Sequence, residues 1–71
     1  MQQHNDDIAY FIAFCIELYK NAHKITGAKS LEILEKHGIP DYLASNFDTL
    51  HTQSPQWILE EIEDIVSSQT E

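Results

Sequence analysis

Ile8-Ala9-Tyr10-Phe11-Ile12-Ala13-Phe14-Cys15-Ile16-Glu17-Leu18-Tyr19 places eleven apolar or aromatic residues in twelve positions, with Glu17 the only interruption. A helix that crosses a bilayer needs about 20 such residues, so this run is too short to span one. It is also long for a chain of 71 residues, whose single small core covers few faces of any one helix. The run therefore reads as the central helix of a minimal bundle, with part of it left to face a partner. At about 100° per residue, Ile8, Phe11, Ile12, Cys15, Leu18, Tyr19 and Ala22 share one broad face, which Phe14 and Ile16 widen. Asp6, Ala13, Glu17, Lys20, Asn21 and Lys24 form the opposite strip, and Tyr10 falls among them. The apolar face covers about 200°, enough to meet two other helices and leave a margin near Tyr10 and Phe14.

Upstream of the run, Asn5, Asp6 and Asp7 supply capping groups and negative charge, which a helix N-terminus favours, so the first helix is expected from Asp6 to about His23. Downstream, Thr26 is a good N-cap for a second helix over Gly27 to His37, and Gly38 stands where a left-handed C-terminal cap is expected. Leu31 and Leu34 set the buried stripe of that helix, with Ala28 one turn earlier and Ile33 at its margin; Glu32 and Lys36 form an exposed i, i+4 pair. Pro40 suits the first turn of a short third helix ending near Ser45. Ser45, Asn46, Asp48 and Thr49 then favour a turn, followed by a further short helical piece. Ser54-Pro55 is a cap followed by proline at the first helical position, and starts a last helix over Pro55 to Ser67. Its buried face is Ile58, Leu59, Ile62, Ile65 and Val66; Glu60, Glu61, Glu63 and Asp64 line the remainder. No strand-like alternation, internal repeat or linker interrupts this pattern. The expectation is one all-α domain over residues 1–71, a small single-domain helical bundle of three main helices plus a short third element, frayed at 1–5 and 68–71.

Twelve acids face four lysines and no arginine, a formal charge of −8. Phosphate backbones and anionic membrane surfaces are bound through Lys and Arg, so neither nucleic acid nor membrane is expected as a partner. A basic protein surface gains steering and complementarity from such a charge, although a small acidic surface also simply maintains solubility. Cys15 is the only cysteine, which excludes an internal disulfide and fits a reducing, cytoplasmic setting. The first seven residues are polar and carry no Lys or Arg, unlike a secretory leader.

Four histidines raise the question of a metal. His23, His37 and His51 recur at even spacing, but the flanking sequences do not repeat, no pair sits at i, i+4, and no Cys–His cluster of the zinc type exists. No metal or cofactor is expected. Glu60, Glu61, Glu63 and Asp64 lack the alternating oxygen ligands of a calcium loop and read as a solvated face or a docking surface for a basic partner. Cys15 lies on the apolar face, where desolvation blunts a thiol, and two glycines cannot build a phosphate-cradling loop. Catalysis has no supporting constellation, so no enzyme is expected. On the last helix, Trp57 falls among Glu60, Glu61 and Asp64. Either it folds over the preceding turn and seals the core edge, or it stands as an aromatic anchor ringed by acids. Tyr10 poses the same question on the first helix.

Several segments together resemble an uncharacterised bacterial family of unknown function, DUF3791. They are Phe14-Cys15-Ile16-Glu17-Leu18-Tyr19-Lys20, Gly38, Asp41-Tyr42-Leu43, and above all Asn46-Phe47-Asp48-Thr49-Leu50-His51-Thr52-Gln53, followed by Ile58. The resemblance covers about Asp7 to Val66. It implies a small helical intracellular protein and transfers no catalytic residue, because the family has no established activity. Its members are often encoded beside other small genes, some resembling ADP-ribosyltransferase domains, which implies an antitoxin-like inhibitory partner of such a neighbour as one function. The chain departs from the family pattern at Ser54-Pro55, where a glycine and a polar residue are expected. His51, Thr52 and Gln53 are then expected to satisfy backbone groups at the turn entering the last helix, or to take part in recognition.

The leading expectation is a non-catalytic intracellular protein–protein interaction module. It self-associates or binds a basic partner through Tyr10, Phe14, Trp57, Glu60, Glu61 and Asp64. The antitoxin-like inhibitor is the first alternative, and a small enzyme using His51 with a nearby acid is the second.

Overall fold

The computed structural model describes the backbone of residues 2–68 and the side chains of residues 6–68; Met1 and residues 69–71 lie outside the described residues. Among the described residues five helices follow one another: α1 (Gln2–His23), α2 (Gly27–Lys36), α3 (Ile39–Ser45), α4 (Phe47–Leu50) and α5 (Pro55–Ser68). No strand occurs among the described residues, so the all-α bundle of three main helices with short elements between the second and the last is the architecture found. No helix among the described residues is long and apolar enough to cross a membrane.

α1 is the axis of the molecule. Its 22 residues rise about 33 Å at 1.5 Å per residue, which accounts for most of the 38 Å long dimension of a body 21 Å across the other two. α2, α3 and α5 each pack against it, and α3 also meets α2 and α4. The helix starts four residues before the expected Asp6, so Asn5, Asp6 and Asp7 lie inside it and the expected cap is not used there. The physical reason is the absence of any Gly or Pro in the first 23 residues: once the apolar run nucleates a helix, extending it through Gln2, Gln3, His4 and Asn5 costs little.

The C-terminus of α1 is closed by Lys24, whose φ of 56° puts a lysine in the left-handed region. The Ile25 amide donates to the Lys20 carbonyl at 3.2 Å, the six-to-one bond of a Schellman motif, and Ile25 packs back on the core. Thr26 then caps α2, its hydroxyl accepting the Lys29 amide at 3.1 Å. Gly38 adopts φ 69° after α2 and hands the chain to α3, whose second residue is Pro40. The Ser54 hydroxyl accepts the Trp57 amide at 3.2 Å, so the Ser54-Pro55 start of α5 stands despite its departure from the family pattern. Ser68 ends that helix, its hydroxyl donating to the Ile65 carbonyl at 3.1 Å.

Cys15 and Tyr19 of α1, Leu34 of α2, Ile39 and Leu43 of α3, Leu50 of α4, and Ile58 and Ile62 of α5 form the buried core. Phe47 meets Phe11 edge to face, ring centroids 5.6 Å apart. Three positions of the expected core, Ala22, Ala28 and Leu31, are exposed instead. Ala22 faces solvent near the end of α1, and Leu31 stands at the surface of α2 while its neighbour Ser30 is fully buried. α2 is rotated so that Ser30 Oγ donates to the Ile16 carbonyl of α1 at 2.9 Å. A small hydroxyl at the crossing lets the two backbones approach, and the bond removes the cost of burying it. Ala28, also expected in the stripe, is exposed for the same reason.

Candidate functional site

The surface of α1 carries two aromatic side chains that the core does not absorb. Tyr10 is 76% exposed and Phe14 43% exposed, four residues apart on one side of the helix. On α5, Trp57 is 41% exposed in the first turn, its backbone held by the Ser54 cap. These are the three aromatic residues singled out from the sequence. The structure sets Tyr10 and Phe14 together on one helix face and Trp57 on a separate element.

The acids of α5 divide into two kinds. Glu61 is half-buried and accepts the Tyr42 hydroxyl at 2.7 Å, tying α5 to α3. Because the phenol donates to a carboxylate, and because it is partly desolvated, the Tyr42 pKa is raised above its ordinary value. Glu63 accepts from His23 Nε2 at 2.9 Å, which ties α5 to the end of α1. The His23 ring in turn stacks on Tyr19, centroids 4.1 Å apart; burial, then the nearby Glu63 charge, raise the Tyr19 pKa. Glu60 and Asp64 remain exposed, Glu60 accepting from Gln56 Nε2 at 3.0 Å along the helix. Of the three acids proposed for recognition, Glu61 is thus drawn into a link within the fold, while Glu60 and Asp64 stand beside Trp57 at one and two turns.

His51 and Thr52 both turn to backbone carbonyls. His51 Nδ1 lies 2.7 Å from the Phe47 carbonyl, and since a carbonyl only accepts, Nδ1 carries the proton. The imidazole lies flat on the Phe47 ring at 4.4 Å, extending the Phe11–Phe47 contact to the surface. Thr52 Oγ1 donates to the Thr49 carbonyl at 2.9 Å, and the Gln53 amide to the Leu50 carbonyl at 3.0 Å. The segment closes α4, a helix of four residues in which the Phe47 carbonyl also accepts the His51 amide at 2.9 Å, so that side chains and turn amides supply partners that so short a helix lacks.

Cys15 sits in the core with its thiol pushed up to about 12 by desolvation, the opposite of what a nucleophile needs. No group of three or more His, Cys, Asp or Glu side chains able to hold a metal occurs among the described residues. One open depression of 320 Å³ lies beside α1, lined by Ala13, Ile16, Glu17, Lys20 and Gly27. Sequence reasoning did not find it. The available signal was the spacing of Gly27 and Ser30, two small residues three apart on α2, which marks a close helix approach. Ala13 and Gly27 leave the space unfilled beside the Ser30–Ile16 bond, and Glu17 and Lys20 pair at 3.5 Å on its rim.

Neither a curated protein nor a solved structure matches the chain. One family does: its sequence model covers residues 10–69, nearly the whole domain and all five helices in whole or part. On that match, the chain belongs to the family described as protein of unknown function, DUF3791.

Proposed function

We propose that this domain is a non-catalytic protein–protein interaction module of a bacterial cytoplasm. The observation that carries the reading is the exposure of three aromatic side chains, Tyr10, Phe14 and Trp57, at the surface of so small a body, with Leu31 also exposed. Aromatic side chains left at the surface of a small domain are the residue type that dominates interface energetics. Their surroundings are acidic and lack arginine, which favours a partner surface with basic groups. The lone buried thiol suits a reducing compartment.

The test compares the tagged wild-type protein with the triple variant Tyr10→Ser, Phe14→Ser, Trp57→Ser in the native host. Far-UV circular dichroism first checks that both are folded. The wild type is expected to recover a specific protein, itself or another, and the variant to lose it. A wild type that is strictly monomeric by light scattering and recovers nothing specific overturns the reading.

A further inference from the structure

We propose that the outer face of α1 docks antiparallel on the same face of a second copy of this chain, forming a two-helix seam centred on Phe14. This names the partner in the interaction-module reading and rests on it.

A helix that packs along one other helix repeats its contact positions in alternating steps of three and four residues. On the side of α1 turned away from the core, Asp7, Tyr10, Phe14, Glu17 and Asn21 follow that spacing, and all are exposed. Lys24, also exposed, continues it one residue past the helix, and its flexible four-carbon stem makes up for its leaving the helical path. From Asp7 to Lys24 the seam runs about 25 Å. The core uses other positions of α1, among them Cys15 and Tyr19, and α2 is bonded to it at Ile16, so among the described residues nothing covers the seam.

Charge identifies the occupant and its direction. Two copies of a chain carrying −8 repel unless they meet where that charge is locally balanced. α5 has four acids and no lysine, whereas α1 together with Lys24 has three acids and two lysines. Of these, Glu17 and Lys20 already pair at 3.5 Å. What remains is acid at one end of the face, Asp6 and Asp7, and Lys24 at the other; the ion pairs of the described residues involve none of the three. Such a face is complementary to itself when reversed. With Asp7 level with Lys24 of the second copy, one two-fold axis sets Lys24 level with the second copy's Asp7 and uses the contact twice. The same register puts Phe14 against the Glu17 stem and Tyr10 against Asn21, and leaves the two Phe14 residues about 4.5 Å apart along the axis. A parallel pair instead stacks acid on acid at one end and lysine on lysine at the other.

Sedimentation velocity over a concentration series measures the association. The wild type is expected to dimerise below about 1 mM, and Phe14→Ser to weaken the dimer at least about tenfold, because both copies place that ring at the centre. Charge reversal tests the direction. Asp7→Lys and Lys24→Glu each set like charges opposite one another at both ends of an antiparallel pair, so each alone weakens the dimer. Mixed in equal amounts the two variants form a heterodimer, and both reversals in one chain restore the homodimer. A parallel pair is indifferent to either single reversal. Thermal unfolding of each variant checks the fold. A wild type monomeric at about 1 mM, a dimer untouched by Phe14→Ser, single reversals without effect, or a mixture that fails to pair overturns the proposal. The interaction-module reading falls with it only if the monomeric wild type also recovers no specific host protein.

Discussion

Lys24 and Gly38 occupy the same backbone region, φ 56° and 69°, just past the C-termini of α1 and α2, and they differ in what that conformation costs. A side chain with a Cβ pays about 1 kcal/mol or more in the left-handed region, whereas glycine pays none. Lys24 holds the position because the Schellman bond from Ile25 to Lys20 and the docking of Ile25 fix the turn. Lys24→Gly is therefore expected to raise stability by about 0.5–1 kcal/mol, less a few tenths for the lost charge near the helix C-terminus. Gly38→Ala, with open space around its missing Cβ, is expected to lower stability by about 1 kcal/mol from backbone strain alone. Urea midpoints at constant m-value measure both, and changes of the same sign in the two variants would refute the argument. Ser30 is a third residue of this scale. Ser30→Ala loses a buried bond to Ile16 and should cost about 1 kcal/mol. Ser30→Leu, which a stripe centred on Leu31 would have welcomed, must force α1 and α2 apart and should cost at least about 1–3 kcal/mol.

Among the elements, those announced by their ends were the most legible in the sequence. Thr26 and Ser54-Pro55 set the starts of α2 and α5 because a side-chain oxygen satisfies an amide there whatever the tertiary context. The start of α1 was misread because good capping residues, Asn5 to Asp7, also tolerate the helix interior when nothing upstream stops it. The face of α2 was misread because hydrophobicity favours Leu31 as the buried residue, while the crossing with α1 selects by size and hydrogen bonding and takes Ser30. At the candidate site, helical projection set Tyr10 and Trp57 among polar residues but left open whether each seals the core or stands exposed. The groove and the two ties of α5 were not legible, because each joins residues distant in sequence. Those ties explain how a helix rich in acids stays on the body: Glu61 is held by Tyr42 of α3, and Glu63 by His23 of α1. Both pairs are partly exposed, so each contributes modestly. For the Tyr42–Glu61 pair, the variants Tyr42→Phe, Glu61→Gln and their combination form a double-mutant cycle with an expected coupling of about 0.5–1.5 kcal/mol. Strict additivity would show that the 2.7 Å bond does not hold α5.

Considered whole, the molecule has one core, crossed by a single long helix, with its only thiol near the middle. Cys15 ties global stability to alkaline pH through that geometry. In the unfolded chain the thiol ionises near its ordinary 9.0, and in the folded protein burial pushes it up to about 12. Between those values the unfolded state has lost a proton that the folded state retains, so stability is fully present below pH 9 and falls as pH rises toward 12. Tyr42, chiefly through its bond to Glu61, and Tyr19, chiefly through burial, are shifted in the same direction and add to the fall above their ordinary 10.0. Between pH 9 and 10 the thiol, with the lower ordinary value, ionises ahead of the phenols and supplies the larger share of the fall. Its own contribution to the slope there approaches, and does not exceed, about 1.4 kcal/mol per pH unit. Cys15→Ala removes the ionising group, so despite a lower stability at neutral pH its slope over that interval should be clearly shallower than that of the wild type, with the tyrosine-dependent fall retained. The native thiol should correspondingly resist alkylation at pH 8 and react at the rate at which the helix bundle opens. Chemical denaturation at half-unit pH steps decides the matter: parallel slopes for wild type and Cys15→Ala between pH 9 and 10, or a thiol alkylated as fast as a free peptide's, would place Cys15 outside the dry core on which the packing of α1 depends.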